Sequence, residues 1–322
     1  MNITTKVIQT VLGAIKPDRL GYCQCHEHLF IGKGQSYKVN PALWMDDLEN
    51  AIDELKSYKE AGGNSLVDAQ PLGCGRMESE LIEASMKTGI NIIASTGFHK
   101  LIFYPDEHWI HTIMKEELSQ IFINELRSGM YVNSDYKYPK ERTNGKAGII
   151  KTAADKDGIM GAYKKLFLSA AIASKETGAP ILCHTEMGKA ALEIVDFLIG
   201  QGVRKDLIII CHIDRDVSEP LYHRAVADRG VYLEYDTIGR YKYHTDEQEA
   251  VLIKRMIDWG FEDQILLGLD TTRNRLISYG GNMGLTYIIE SFIPLLMSHG
   301  VTEKYIQKLM YENPAKALAQ NR

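Results

Sequence analysis

The chain has no uninterrupted apolar run of about eighteen residues, the length that would suggest a membrane-spanning helix. Its first ten residues, MNITTKVIQT, lack the basic start, apolar run and small-residue cleavage site of a secretory signal. A cytoplasmic protein is therefore the expectation. Cysteine is scarce and odd in number, five residues at 23, 25, 74, 183 and 211. That scatter matches no disulfide framework, so reduced thiols are expected. Neither GxGxxG nor GxxxxGK[ST] occurs, which removes the usual phosphate-cradling loops of nucleotide-binding sheets. There is no internal repeat, low-complexity tract or linker. Basic residues are outnumbered, 37 Lys and Arg against 42 Asp and Glu, for a formal charge of -5. Nothing in that balance draws nucleic acid or an anionic membrane to the whole surface, so an anion must find a local basic cluster.

What the 322 residues do contain is enough apolar material, 45%, to bury a substantial core. Short β-branched runs bounded by turn residues predict strands at 22–26, 64–69, 90–96, 147–152, 180–184, 207–212, 230–236 and 264–269. Helical patterns lie between them at 45–61, 77–88, 162–177, 187–201, 219–228, 246–259 and 285–298. Eight alternating units imply parallel pairing, and they fit a single-domain α/β fold, a (β/α)8 TIM barrel spanning 1–322. A long stretch around 98–147 separates the third and fourth strands. Its run 131–144 (YVNSDYKYPKERTN) reads as an exposed βα insertion of the kind that covers barrel sites.

The unusual residues fall in one place. His26, His28, Lys151, His184, His212 and Asp270 all stand at or just past the C-terminal ends of predicted strands, which in a barrel form the catalytic face. Strand side chains alternate, so His26 and His28 point the same way. By the same rule Cys25, Cys183 and Cys211, each immediately before a histidine, are expected to pack outward against the helices, with Cys23 sharing the parity of Cys25. A lone histidine on an apolar strand is more often a packed core residue. Four on three strand ends, with a carboxylate, instead supply enough ligands for two transition-metal ions. Lys151 ends an apolar run, where an unpaired ammonium is costly and worse beside cations. Either it snorkels to a carboxylate or its amine is converted into an anion.

The segments Thr10-Val11-Leu12-Gly13, Leu20-Gly21 and His26-Glu27-His28-Leu29 form an opening signature. They are followed by Gly148-Ile149-Ile150-Lys151-Thr152-Ala153, Pro180-Ile181-Leu182-Cys183-His184-Thr185-Glu186, Cys211-His212-Ile213-Asp214-Arg215, Gly268-Leu269-Asp270 and Asn313-Pro314-Ala315. In this order, across essentially the whole chain, they resemble the phosphotriesterase-like lactonases of the amidohydrolase superfamily. The resemblance implies a binuclear centre with His26, His28 and Asp270 on one ion and His184 and His212 on the other. Zinc is expected first, although manganese or cobalt suits the same ligands. It further implies that Lys151, carboxylated to a carbamate, bridges both ions, that a metal-bridging hydroxide opens the substrate, and that Asp270 relays its proton. A homodimer is also implied. Leu269 departs from the pattern, since many relatives carry histidine before the aspartate.

Basic residues crowd the loops after the seventh and eighth strands, in Ile238-Gly239-Arg240-Tyr241-Lys242-Tyr243-His244 and Asp270-Thr271-Thr272-Arg273-Asn274-Arg275. In barrels these loops often bind phosphate, and Arg215 lies on the same rim. The alternative is a solvated rim paired with Asp236, Asp246 or Glu247. Taken as an anion site, Arg215, Lys242, Arg273 and Arg275 are expected to hold the phosphate of a small-molecule substrate, a phosphorylated furanose lactone, with neither nucleic acid nor membrane as partner. The rivals are a cyclic amide, an organophosphate triester, or a non-catalytic anion-binding barrel.

Overall fold

The computed structural model describes residues 6–321; the first five residues, read above for a secretory start, lie outside the described residues. The chain starts with an antiparallel hairpin of β1 (Lys6–Thr10) and β2 (Gly13–Ile15), and β11 (Gln320–Asn321) pairs with β1. Between them run eight strands, all parallel and in sequence order. These are β3 (Cys23–Glu27), β4 (Ser65–Asp68), β5 (Asn91–Gly97), β6 (Ile149–Ala153), β7 (Ile181–His184), β8 (Ile208–Cys211), β9 (Tyr232–Tyr235) and β10 (Ile265–Leu267). The seam between β10 and β3 closes through the Asp270 N–H, which donates to the His26 carbonyl at 2.9 Å. Gly268 permits that approach, because a Cβ there would lie 2.9 Å from the His26 Cβ. The result is the expected single-domain (β/α)8 barrel.

Each predicted strand forms, with its ends within two residues of the expected bounds. Helix starts follow their capping residues: Thr245 and Gln248 make a reciprocal box at the head of helix Asp246–Asp258, and Asp47 accepts the Asn50 N–H at 2.9 Å before helix Leu48–Glu60. The stretch 98–147 is not wholly an insertion. Its middle is the helix Lys115–Arg127, which buries Leu118, Ile121, Phe122 and Leu126 and fills the ordinary crossover between β5 and β6. None of the described helices is long and apolar enough to cross a membrane.

The barrel floor is apolar. Cys23, Cys25, Val67, Ile93, Ile149, Leu182, Ile209, Cys211 and Leu266 pack together inside, closed from below by Ile8 of the hairpin and Leu318 near the chain end. Ile149 and Leu182 stand two residues before Lys151 and His184, on the same face. The expectation that the cysteines pack outward therefore holds for Cys183, which joins the helix-facing core, and fails for Cys23, Cys25 and Cys211. Two local departures from regular strand geometry explain the failure. In β3 one extra residue is inserted between Gln24 and Glu27, since Gln24 pairs with Leu66 but Glu27 with Asp68. That bulge turns both Cys25 and His26 inward. After β8, His212 adopts a left-handed backbone, φ 61°, which re-aims its ring to the side that Cys211 already occupies. All five cysteines are free and buried.

Candidate metal centre

At the C-terminal mouth of the barrel the six predicted ligand residues meet. Lys151 Nζ lies 3.1 Å from His26 Nε2 and is fully buried. Gly97 makes room for it, because a Cβ there would lie 1.9 Å from the Lys151 carbonyl oxygen. His26, His28 and Asp270 each place one ligand atom within 4.8 Å of the others, with Asp270 Oδ1 at 3.5 Å from His28 Nε2. Beside them the rings of His184 and His212 stand edge to face, centroids 4.4 Å apart, and His26 and His212 are 4.9 Å apart. Thr271 fixes the seam: its hydroxyl accepts from the His28 N–H and donates to the His28 carbonyl, both at 3.1 Å. Among the described residues His212 and Asp270 are two of the five non-glycines with positive φ, so a strained backbone aims both of these side chains.

Burial decides the charge of the rings. It pushes His26 and His212 well below the usual imidazole range and His184 down to about 3, against the opposing pull of nearby carboxylates. Neutral imidazoles are the metal-binding form. Three rings also have one nitrogen already engaged. His26 Nδ1 faces Glu234 Oε2 at 2.7 Å and Asp236 Oδ2 at 3.1 Å, His212 Nδ1 faces Asp236 Oδ1 at 2.6 Å, and His184 Nε2 faces Glu186 Oε1 at 3.1 Å. The opposite nitrogen of His184 and of His212 is left for an ion, and that of His26 faces Lys151 Nζ, which is the arrangement of carboxylate-oriented metal histidines. His28 Nδ1, buried, has no hydrogen-bond partner among the described residues. The residues thus fit a pair of divalent cations in donor type, protonation and orientation.

Two opposing influences act on Asp270. Burial raises its carboxyl, but the guanidinium of Arg240 and the imidazoles around it outweigh burial and hold it well below the ordinary carboxylate range. Arg240 and Arg215 both reach Oδ2, at 3.0 and 3.1 Å. Glu27, between the two histidines, faces away from them as expected. It accepts the Leu269 N–H at 2.8 Å, and burial pushes its carboxyl up to about 8.

The centre opens onto a cavity of about 260 Å³, whose lining includes Arg215, Arg240, Lys242 and Tyr243. Arg215 and Lys242 both lie over the Tyr243 ring, at 5.1 and 4.6 Å. Two members of the predicted anion cluster are elsewhere. Arg273 is stacked on the rings of Trp44 and Tyr279, 4.9 Å from each, and donates to the Trp44 carbonyl at 3.2 Å. Arg275 donates to the carbonyls of Leu269 and Ile238. Neither lines the cavity, because each guanidinium is consumed in tying one loop to another. Sequence reasoning passed over Arg240, Glu186 and Glu234 and credited Asp236 only to the rim. For the last two a signal existed: two acids at i and i+2 in the apolar run Val231-Tyr232-Leu233-Glu234-Tyr235-Asp236 share one strand face.

The Phosphotriesterase family model matches residues 6–318. The phospho-furanose lactonase of Mycoplasmopsis synoviae is 34% identical over 330 positions, covering 98% of this chain and 92% of that protein. Among solved structures, an amidohydrolase from Mycoplasma synoviae superposes with a TM-score of 0.93 at 33% identity, covering 98% of this chain and 92% of that one. A lactonase from Listeria monocytogenes gives 0.90 at 28% identity, covering 98% and 100%.

Proposed function

The chain belongs to the phosphotriesterase family, and from that premise we propose that it is a metal-dependent hydrolase that opens the lactone ring of a phosphorylated furanose. The observation that carries this reading is the meeting of six ligand-type side chains, five lining one cavity and Lys151 in contact with His26, beside a cationic wall. The similarity to proteins named lactonases supports it.

His26, His28 and Asp270 would hold one divalent ion, His184 and His212 the other, with Lys151, as a carbamate, between them. Zinc is the ion we propose first. When bound, such a pair supplies a water made nucleophilic near neutral pH and a Lewis acid for the carbonyl. Within this chain, Lys242, Arg215 and Arg240 would hold the phosphate, turning the ring carbonyl toward the histidines. Arginine forks and a lysine point charge suit a phosphate dianion. Asp270, kept ionised by its neighbours, takes the proton of the attacking water and passes it to the ring oxygen as the acyl C–O bond breaks. A carboxylic acid and a free hydroxyl result, the net addition of one water, and the acid then ionises and releases one proton to solvent. Five free thiols suit a reducing cytoplasm, where we place the chain.

The test is a library of lactones, cyclic amides and phosphate triesters assayed by proton release on enzyme of known metal content. Highest kcat/KM on phosphorylated furanose lactones is expected. Equal values for phosphorylated and unphosphorylated rings would remove the phosphate from the reading, and no lactone turnover would remove the rest.

A further inference from the structure

Asp236 directly follows β9 and is fully buried. Its two oxygens do not serve one imidazole. Oδ1 takes the ring Nδ1 of His212 at 2.6 Å, while Oδ2 takes the His212 backbone N–H at 3.1 Å and stands 3.1 Å from Nδ1 of His26. His26 groups with His28 and Asp270; His212 pairs face to edge with His184. One carboxylate therefore spans the two halves of the centre from beneath. Glu234, two residues earlier on the same face, differs: among the described contacts its Oε2 meets His26 Nδ1 at 2.7 Å and no ring of the other half.

Resting on the binuclear reading of the centre, we infer that Asp236 is a positioning residue that couples the filling of the two metal sites. The physical argument is preorganisation. His26, once it held an ion, would have its ring fixed, and the fixed ring would hold Oδ2 of Asp236. The carboxylate is planar and buried, so holding one oxygen sets the other. Oδ1 then fixes the ring of His212 at the angle the second ion requires. Rotamer freedom lost on filling the first site need not be lost again on filling the second, so the second ion binds more favourably than it would alone. The left-handed backbone of His212 strengthens the case, since its N–H and its ring both hang on the same carboxylate and move together.

Glu234 supplies the internal comparison. Losing an orienting carboxylate typically weakens metal affinity ten- to a hundredfold. Glu234→Gln should weaken chiefly the site containing His26 and leave the coupling in place. Asp236→Asn should weaken both sites and uncouple them, and Asp236→Glu, which keeps two oxygens on a longer arm, should restore part of the coupling.

The experiment is calorimetric titration of metal-free protein with zinc in bicarbonate buffer, with bound metal counted by elemental analysis and the fold of each variant checked by circular dichroism and melting. Wild type is expected to take up two ions in one unresolved, cooperative step. Asp236→Asn is expected to show two separate, weaker steps at the same final stoichiometry. Independent binding in wild type, or unchanged cooperativity in a folded Asp236→Asn, overturns the coupling while leaving the binuclear reading intact. If wild type never reaches two ions per chain, it is the metal reading that fails. Should Asp236→Asn not fold, Asp236→Glu carries the comparison, and cooperativity in it equal to wild type with both affinities unchanged counts against the role of Asp236.

Discussion

The amine of Lys151 lies 3.1 Å from Nε2 of His26, although 125 residues of chain separate them. Among the described residues this buried amine, in contact with the nitrogen that faces the ligand cluster, has no carboxylate at ion-pair distance, a conflict that the carbamate we propose would remove. Lys151→Met should fold yet retain less than half the metal of wild type and lose lactone hydrolysis. Elemental analysis after dialysis reads the first and proton release the second. Full metal retention by Lys151→Met would detach this residue from the centre.

Among the described residues Asp270 is the one carboxylate within 3.9 Å of both His26 and His28. Asp270→Asn, isosteric but without the proton-accepting charge, should lower kcat by about 10²–10⁴-fold, the usual worth of a positioned acid–base group. Steady-state kinetics on metal-loaded protein checks this, and near-normal turnover contradicts the assignment.

Lys242 and Arg275 should separate cleanly. Lys242→Met should lower kcat/KM for the phosphorylated lactone by about ten- to a hundredfold, the loss of one charge-assisted contact. The unphosphorylated ring should be unaffected. Arg275→Met should leave the ratio between the two substrates unchanged and lower stability by about 1–3 kcal/mol, because the carbonyls of Leu269 and Ile238 lose a buried donor. A denaturation curve and the substrate ratio together decide whether either residue has been misplaced.

His108 should make part of the stability acid-sensitive. Its Nδ1 accepts the Ile110 N–H and its Nε2 donates to the Ser134 carbonyl, each at 3.1 Å, so the ring works only when neutral. Burial pushes it down to about 4, opposed by the Ser134 carbonyl. The folded state thus binds fewer protons than the unfolded one between about pH 6.5 and 4. The contribution is complete above that window and is lost as pH falls through it, with a slope of at most about 1.4 kcal/mol per pH unit. His108→Gln should flatten the acid limb of a melting-temperature profile. An unchanged limb would place the acid sensitivity elsewhere.

Much of this was legible in the sequence because strand ends are marked by composition. His26, His184 and His212 each close an apolar run, and an eight-fold alternation leaves few folds. The helix Lys115–Arg127 escaped because its flanks are irregular, so a normal crossover read as part of a long insertion. Of the expected anion cluster, Arg215 and Lys242 line the cavity and Arg273 and Arg275 do not: a loop's charge count cannot say which guanidinium finds a carbonyl before it finds a cavity, and Arg273 and Arg275 found carbonyls while Arg240 did not stop there. Of the buried acids, Asp236 was credited only to the rim and Glu234 was passed over, because parity along the strand was not carried from the acids to the rings they face.

The extra residue in β3 has a bearing on how this protein tolerates lengthening and shortening. Removing a single codon between Gln24 and Glu27 would restore an unbroken ladder against β4, a locally more regular strand, yet it would rotate everything on one side of the cut by half a pleat. Either the thiols of the barrel floor or the first imidazole would end up among the helices. At this spot chain length, more than residue identity, keeps the mouth and the floor of the barrel in phase.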